Sequence, residues 1–216
     1  MSENMEYKPE VKVEGEQTEE RRHVVEFKRP YLFEQKEYRS VDLGGLDKLT
    51  VKDAIEAQRQ LFGQQEVAAS LLTETTTAFA QALAVKASGK PVEFFKLMKR
   101  PFYRPVFRHV REYVMSTEKG VENHVMRLEK PCFFKDKEYK EIDLSGIADL
   151  NSMQESAAEN RMAREGFVVT ETSFNYLYAC IISSMATGLP EEFFLGLPIC
   201  EAVKLKNAVN DGDFFE

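Results

Sequence analysis

The chain has 216 residues, 43% of them hydrophobic and 30% charged, and a formal net charge of −7. That balance is ordinary for a globular protein, and no apolar run approaches the eighteen or so residues that a membrane span needs. The three cysteines, Cys132, Cys180 and Cys200, are widely spaced, with no CxxC and no Cys/His pairing, which argues against a zinc site or a disulfide framework.

Residues 1–22 carry seven acidic side chains and no apolar core, so they read as a disordered acidic tail and not as a signal peptide or anchor. From His23 to Phe33 the apolar residues alternate loosely, which predicts a strand. Pro30 lacks a backbone donor and places that strand at an edge or a bulge. A polar turn at Glu34–Lys36 leads to a second short strand, Tyr38–Leu43, so the pair reads as a β-hairpin. The turn has no glycine, which leaves its type open. Thr50 looks like the cap of a helix through Asp53, Ile55, Gln58 and Leu61, its oxygen accepting orphan N–H groups. A longer helix is predicted over roughly 70–88. Gly89 suits a left-handed end to it, and Pro91 suits the start of a short helix carrying Phe94 and Phe95. A final helix is predicted over 100–115, kinked or broken at Pro105.

The same order then recurs. Residues 30–50 and 131–151 agree at nine of twenty-one positions at a shift of 101, among them Pro30/Pro131, Phe33/Phe134, Tyr38/Tyr139, Asp42/Asp143 and Gly45/Gly146. Chance would give about one or two. Gly89-Lys-Pro-Val-Glu-Phe-Phe95 matches Gly188-Leu-Pro-Glu-Glu-Phe-Phe194 at a shift of 99. A period this long is the size of a small domain and not of a solenoid repeat. The expected architecture is therefore α+β, a tandem duplication of a hairpin followed by about four helices. Its parts are the tail (1–22), repeat 1 (23–115), a linker (116–123), repeat 2 (124–210) and a C-terminal tail (211–216). In the second copy the core helix is expected over 171–187 and the last helix over 199–210. The copies differ in sign: residues 23–115 carry fifteen basic and eleven acidic side chains, residues 116–216 ten and eighteen.

Chemistry-bearing patterns are few. There is no GxSxG, HExxH, P-loop or GxGxxG, and no catalytic or metal residue is assigned. His23 and His124 precede equivalent strands, either as a paired site or as surface residues. The absence of a recurring Asp, Cys or Ser beside them favours the surface. Asp42 and Asp143 end equivalent strands, where a carboxylate most simply accepts local N–H groups. Arg100, Arg104, Arg108 and Arg111 are spaced 4, 4 and 3 and share a helix face. Such a stripe can bind phosphates, but the acidic chain and the lack of a counterpart in the second copy favour a solvated face or an acidic protein surface. Of each phenylalanine pair, Phe94/Phe95 and Phe193/Phe194, one ring should be core and the other can cover a neighbouring helix or line a groove. Together with Met98 and Leu197, these arginines and phenylalanines are the candidate partner-binding residues.

The combination of Pro131, the Asp136-Lys137 turn, Asp143-Leu144-Ser145-Gly146-Ile147, and Thr187-Gly188-Leu189-Pro190 with Glu192-Phe193-Phe194 resembles the phage tail assembly chaperones. The first copy matches less closely, with Gln35, Gly44 and Ser88 departing, and the duplication itself departs from the single-unit pattern. The resemblance implies a non-enzymatic protein without a cofactor, acting in the cytoplasm of an infected or lysogenic (prophage-bearing) bacterial host. Its implied partners are the tape-measure protein and, secondarily, the tail-tube protein, with no nucleic acid and no membrane. The main rival is a structural tail or baseplate component retained in the virion. A small-molecule enzyme is a third reading, which a deep polar pocket with perturbed carboxylates would favour.

Overall fold

A computed structural model describes residues 22–64, 73–117, 120–167 and 172–211. The first copy runs β1 (Val24–Phe33), β2 (Lys36–Asp42), a 3-10 turn at Gly44–Lys48, α1 (Val51–Gln64), a 3-10 turn at Thr73–Thr75, α2 (Thr77–Ser88), α3 (Val92–Lys96) and α4 (Arg100–Val114). The second opens with a short strand, β3 (Val121–Glu122), and repeats the order as β4 (Val125–Phe134), β5 (Lys137–Asp143), a 3-10 turn at Ser145–Asp149, α5 (Ser152–Arg164), a 3-10 turn at Thr172–Phe174, α6 (Tyr176–Thr187), α7 (Glu191–Leu195), a 3-10 turn at Ile199–Glu201 and α8 (Ala202–Val209). The fold is α+β, with two repeats of a hairpin followed by several helices.

The prolines act where the sequence places them. The β1–β2 register breaks between Glu26 and Tyr31, around Pro30, and the β4–β5 register breaks between Arg127 and Cys132, around Pro131. Each strand bulges there because proline cannot donate to the ladder. Both hairpin turns put two non-glycine residues at positive φ, Glu34 (46°) with Gln35 (63°) and Lys135 (47°) with Asp136 (63°). This is the type I′ pattern that matches strand twist. A third such turn, Asn123-His124, pairs β3 with β4, so the stretch expected as a linker over 116–123 contributes a strand to a three-stranded sheet.

The long helices begin later than hydrophobicity suggests. Thr76 caps α2 by accepting from the Phe79 N–H (3.2 Å), and Asn175 caps α6 by accepting from Leu177 (2.8 Å) and Tyr178 (3.1 Å). The earlier part of each predicted span is a 3-10 turn or lies outside the described residues. Asn151 caps α5 in a reciprocal box with Gln154. Thr50 does the reverse of what was expected: its N–H (2.9 Å) and its hydroxyl (3.1 Å) donate to the Asp53 carboxylate. Gly89 and Gly188 end α2 and α6 with φ of 64° and 70°. α4 continues through Pro105 without a break. In the second copy the last span divides into the Ile199–Glu201 turn and α8.

The repeated residues build one contact twice. Phe33 and Tyr38 pack edge-on against Phe94 (5.2 and 4.9 Å between centroids), and Phe134 and Tyr139 pack on Phe193 (5.5 and 4.8 Å). Each hairpin thus sits on its own phenylalanine helix.

The copies are also joined to each other. The Thr50–Pro198 bridge is flanked by Val51 N–H to Leu197 O and Ile199 N–H to Leu49 O, both 2.9 Å. The Gln58 side chain donates to Phe174 O (2.8 Å) and accepts from the Tyr176 N–H (3.2 Å). One hydrophobic core runs through both copies. Across it, Lys206 Nζ (2.7 Å) and Tyr176 OH (2.8 Å) both donate to the buried Glu74 carboxylate.

Candidate functional site

The phenylalanine pairs are not a groove lining. Phe94, Phe95, Phe193 and Phe194 are 0–2% exposed, and Met98 and Leu197 are buried with them. Adjacent residues point about 100° apart on a helix. In α3 and α7 one ring faces the hairpin and the other faces the helical core, so both directions are covered. Phe95, for example, meets Phe107 at 6.1 Å. Of the two readings open for the second ring, a neighbouring helix or a partner groove, the helix is the one seen; the choice of these six residues as partner-binding is corrected, since all are buried.

The arginine stripe is open. Arg100, Arg104, Arg108 and Arg111 line one shallow surface groove together with Pro101 and Pro105. Among the described residues the acid within ion-pair reach is Glu112 of the same helix, 4.0 Å from Arg108. The acidic second copy does not close over this face.

Asp42 and Asp143 each accept the N–H two residues on, from Gly44 (2.7 Å) and Ser145 (2.9 Å). The bonds from Ser145 hold the Asp143 carboxyl below its usual range. These are turn residues.

His23 was expected at the surface. It is buried, and both its ring nitrogens are engaged. Nδ1 lies 3.0 Å from His109 Nε2, Nε2 lies 3.1 Å from Asp47 Oδ2, and Tyr113 OH donates to Asp47 Oδ1 (2.9 Å). With neutral imidazoles one assignment satisfies both contacts: His109 donates to His23, and His23 donates to Asp47. Burial and the neighbouring His23 hold His109 below the ordinary histidine range. Burial and the bond to Asp47 push Tyr113 well up. The network borders a cleft of about 170 Å³ between the copies, lined in part by Arg22, Glu129, Lys130 and Glu201. Because His23 has no ring nitrogen left over, it serves to position Asp47 and Tyr113 and not as a base facing the cleft. Nothing local in the sequence pointed to this cluster, in which His23 and His109 alone are 86 residues apart.

All three cysteines are free. Burial pushes the thiols of Cys132 and Cys180 up and that of Cys200 to about 11, so none is a thiolate at neutral pH. Among the described residues no His/Cys/Asp/Glu group has a metal-holding arrangement, and no helix is long and apolar enough to cross a membrane.

A surface feature missed in the sequence does recur. Leu32 is 65% exposed and Phe133 is 73% exposed. They occupy the same position in the two hairpins, one residue before the inward-facing Phe33 and Phe134. The signal was present in the alternation, since a neighbour of a core residue in a strand points outward.

Compared with known proteins, the chain matches no family model, no curated protein and no solved structure.

Proposed function

We propose that this protein is a non-enzymatic assembly chaperone of phage tails, holding the tape-measure protein soluble until the tail tube forms around it. The observation that carries the reading is the pair Leu32 and Phe133, large apolar side chains exposed at the same hairpin position in both copies. An exposed apolar side chain that recurs is a contact waiting for a partner, more so than one that occurs singly. A long amphipathic helix offers apolar anchors at helical spacing, and hairpin tips can meet them at successive turns. Two weak contacts on one chain gain by effective concentration while each stays reversible, which suits a partner that must later be released. The sequence resemblance supports the same class. Of its shared residues, Pro131 sits at the hairpin bulge, Gly146 lets the 3-10 turn press on the end of α6, and Phe193 seats the hairpin on α7.

Co-expression with the tape-measure protein of the same genome tests this. The intact chain should raise the soluble fraction of that protein. Leu32→Asp with Phe133→Asp should abolish the gain without lowering thermal stability, because both side chains are exposed. Equal solubility with and without this protein removes the chaperone reading. Recovery of the protein in stoichiometric amounts from purified particles favours a structural tail component instead.

A further inference from the structure

One of the contacts that join the two copies, the docking of α1, is one-way. The start of α1 and its outer face, through Thr50, Val51 and Gln58, fill a groove in the second copy made by Phe174, Tyr176 and Leu197–Ile199. Among the described residues the reciprocal contact does not form. At the shift of 101 the counterparts of Val51, Ile55 and Gln58 are Ser152, Ser156 and Glu159, all exposed on α5. At the shift of 99 the counterparts of Pro198, Ile199 and Val203 are Lys99, Arg100 and Arg104, also exposed. Ile199 and Val203 are buried, so the arginine stripe begins on the face that its second-copy equivalent covers. A contact of this kind is heterologous, and it leaves one donor face and one acceptor face unused.

The two unused faces are complementary in charge. The open groove of the first copy presents Arg100, Arg104 and Arg108, exposed and, among the described residues, without a carboxylate from the second copy. The outer face of α5 presents Glu155 and Glu159, both exposed and close enough to push the Tyr178 hydroxyl up after burial has done most of that work. A large exposed apolar side chain accompanies each in sequence. Leu97, 66% exposed, comes three residues before Arg100, and Met153, 80% exposed, lies on the first turn of α5.

We propose that the protein associates head to tail, the α5 face of one molecule docking in the arginine-lined groove of a second copy, as α1 docks in the equivalent groove within the chain. A polyanion such as nucleic acid is the competing occupant of the stripe. The chain's net charge of −7 disfavours it, and so does the position of Arg100 and Arg104 at the counterparts of the buried Ile199 and Val203 in the other repeat.

Sedimentation of the purified full chain tests the proposal. Mass should rise with concentration at low salt and fall toward the monomer at high salt, since the screening length drops from about 10 Å at 0.1 M to about 3 Å at 1 M. Arg104→Ala with Arg108→Ala should weaken association roughly tenfold, and so should Glu155→Gln with Glu159→Gln. Mixing the two double variants should give a 1:1 complex that grows no further, because only one complementary pair of faces remains. Unchanged circular dichroism and melting temperature show that both variants are folded. Three outcomes overturn the proposal: a monomer at every salt and concentration, variants that associate as the parent does, or a mixture that stays monomeric. A parent that stays monomeric while shifting a labelled oligonucleotide identifies the stripe as a phosphate-binding face. None of these measurements involves the tape-measure protein, so the association stands or falls apart from the chaperone reading.

Discussion

Gly45 and Gly146 show how a repeated residue can be fixed by packing alone. A Cβ on Gly45 would lie 2.2 Å from the carbonyl oxygen of Ala87, and one on Gly146 would lie 2.3 Å from that of Ala186. In each copy the 3-10 turn after the hairpin presses its backbone on the end of the core helix, and the obstacle is main chain that cannot rotate away. Gly89 is different: its φ is +64°, and a Cβ there meets nothing within 4 Å. Gly45→Ala should therefore cost about 3 kcal/mol, as an overpacked core position does, against about 1 kcal/mol for Gly89→Ala, which has only the left-handed backbone to strain. Urea unfolding of the two variants checks the order, and an equal loss would mean that the turn can lift off the helix at little cost. The same residue-level view accounts for what was legible. Asp42, Asp143, Asn151, Gly89 and Gly188 answer to neighbours within a few residues, so their roles could be read from spacing. His23 answers to Asp47 and His109, and both rings of each phenylalanine pair answer to elements far along the chain. No local pattern contains that information.

At the scale of elements, hairpins and helix ends were largely legible and their exact limits were not. Apolar character continues upstream of α2 and α6, but a capping side chain and not hydrophobicity decides where a helix starts. β3 went unseen because a two-residue strand has no periodicity to detect. The hairpin turns carry a sequence-level conflict that the fold overrides. Type I′ geometry asks for Asn-Gly, yet the chain supplies Glu34-Gln35 and Lys135-Asp136 at positive φ. Left-handed backbone costs a non-glycine residue about 1–2 kcal/mol, and the packing of Phe33 and Tyr38 on Phe94 holds the first turn in place regardless. Replacing Glu34-Gln35 by Asn-Gly should then stabilise the protein by about 1 kcal/mol, after allowing for the greater chain entropy of glycine. For a chain of this size that is a rise of about 2–4 °C in melting temperature. A fall would show that the Glu34 or Gln35 side chain contributes something the backbone geometry does not reveal.

At the scale of the molecule, the duplication was legible and the way the copies combine was not. The sequence shows two units of domain length; the structure gives them a common core. The centre of that union is polar. Glu74 of the first copy and Lys206 of the second are each 2% exposed and 2.7 Å apart. Tyr176, fully buried, donates to the same carboxylate. Burial, and then the adjacent Glu74, push the Tyr176 hydroxyl far above its ordinary range, so it remains a donor at any working pH. Removing one partner from a buried pair leaves an uncompensated charge and costs about 3–5 kcal/mol. Lys206→Met should lose about that much, and Glu74→Gln with Lys206→Met together should lose less than Lys206→Met alone, because no bare charge remains. The location of the pair makes a second consequence testable in the same experiment. If the copies stand or fall together, calorimetry of the parent and of Lys206→Met should each show one transition, shifted down in the variant. Two transitions in the variant, with the upper one near the parent's, would mean that one copy holds its fold without the other and that the shared core is an interface between independent units.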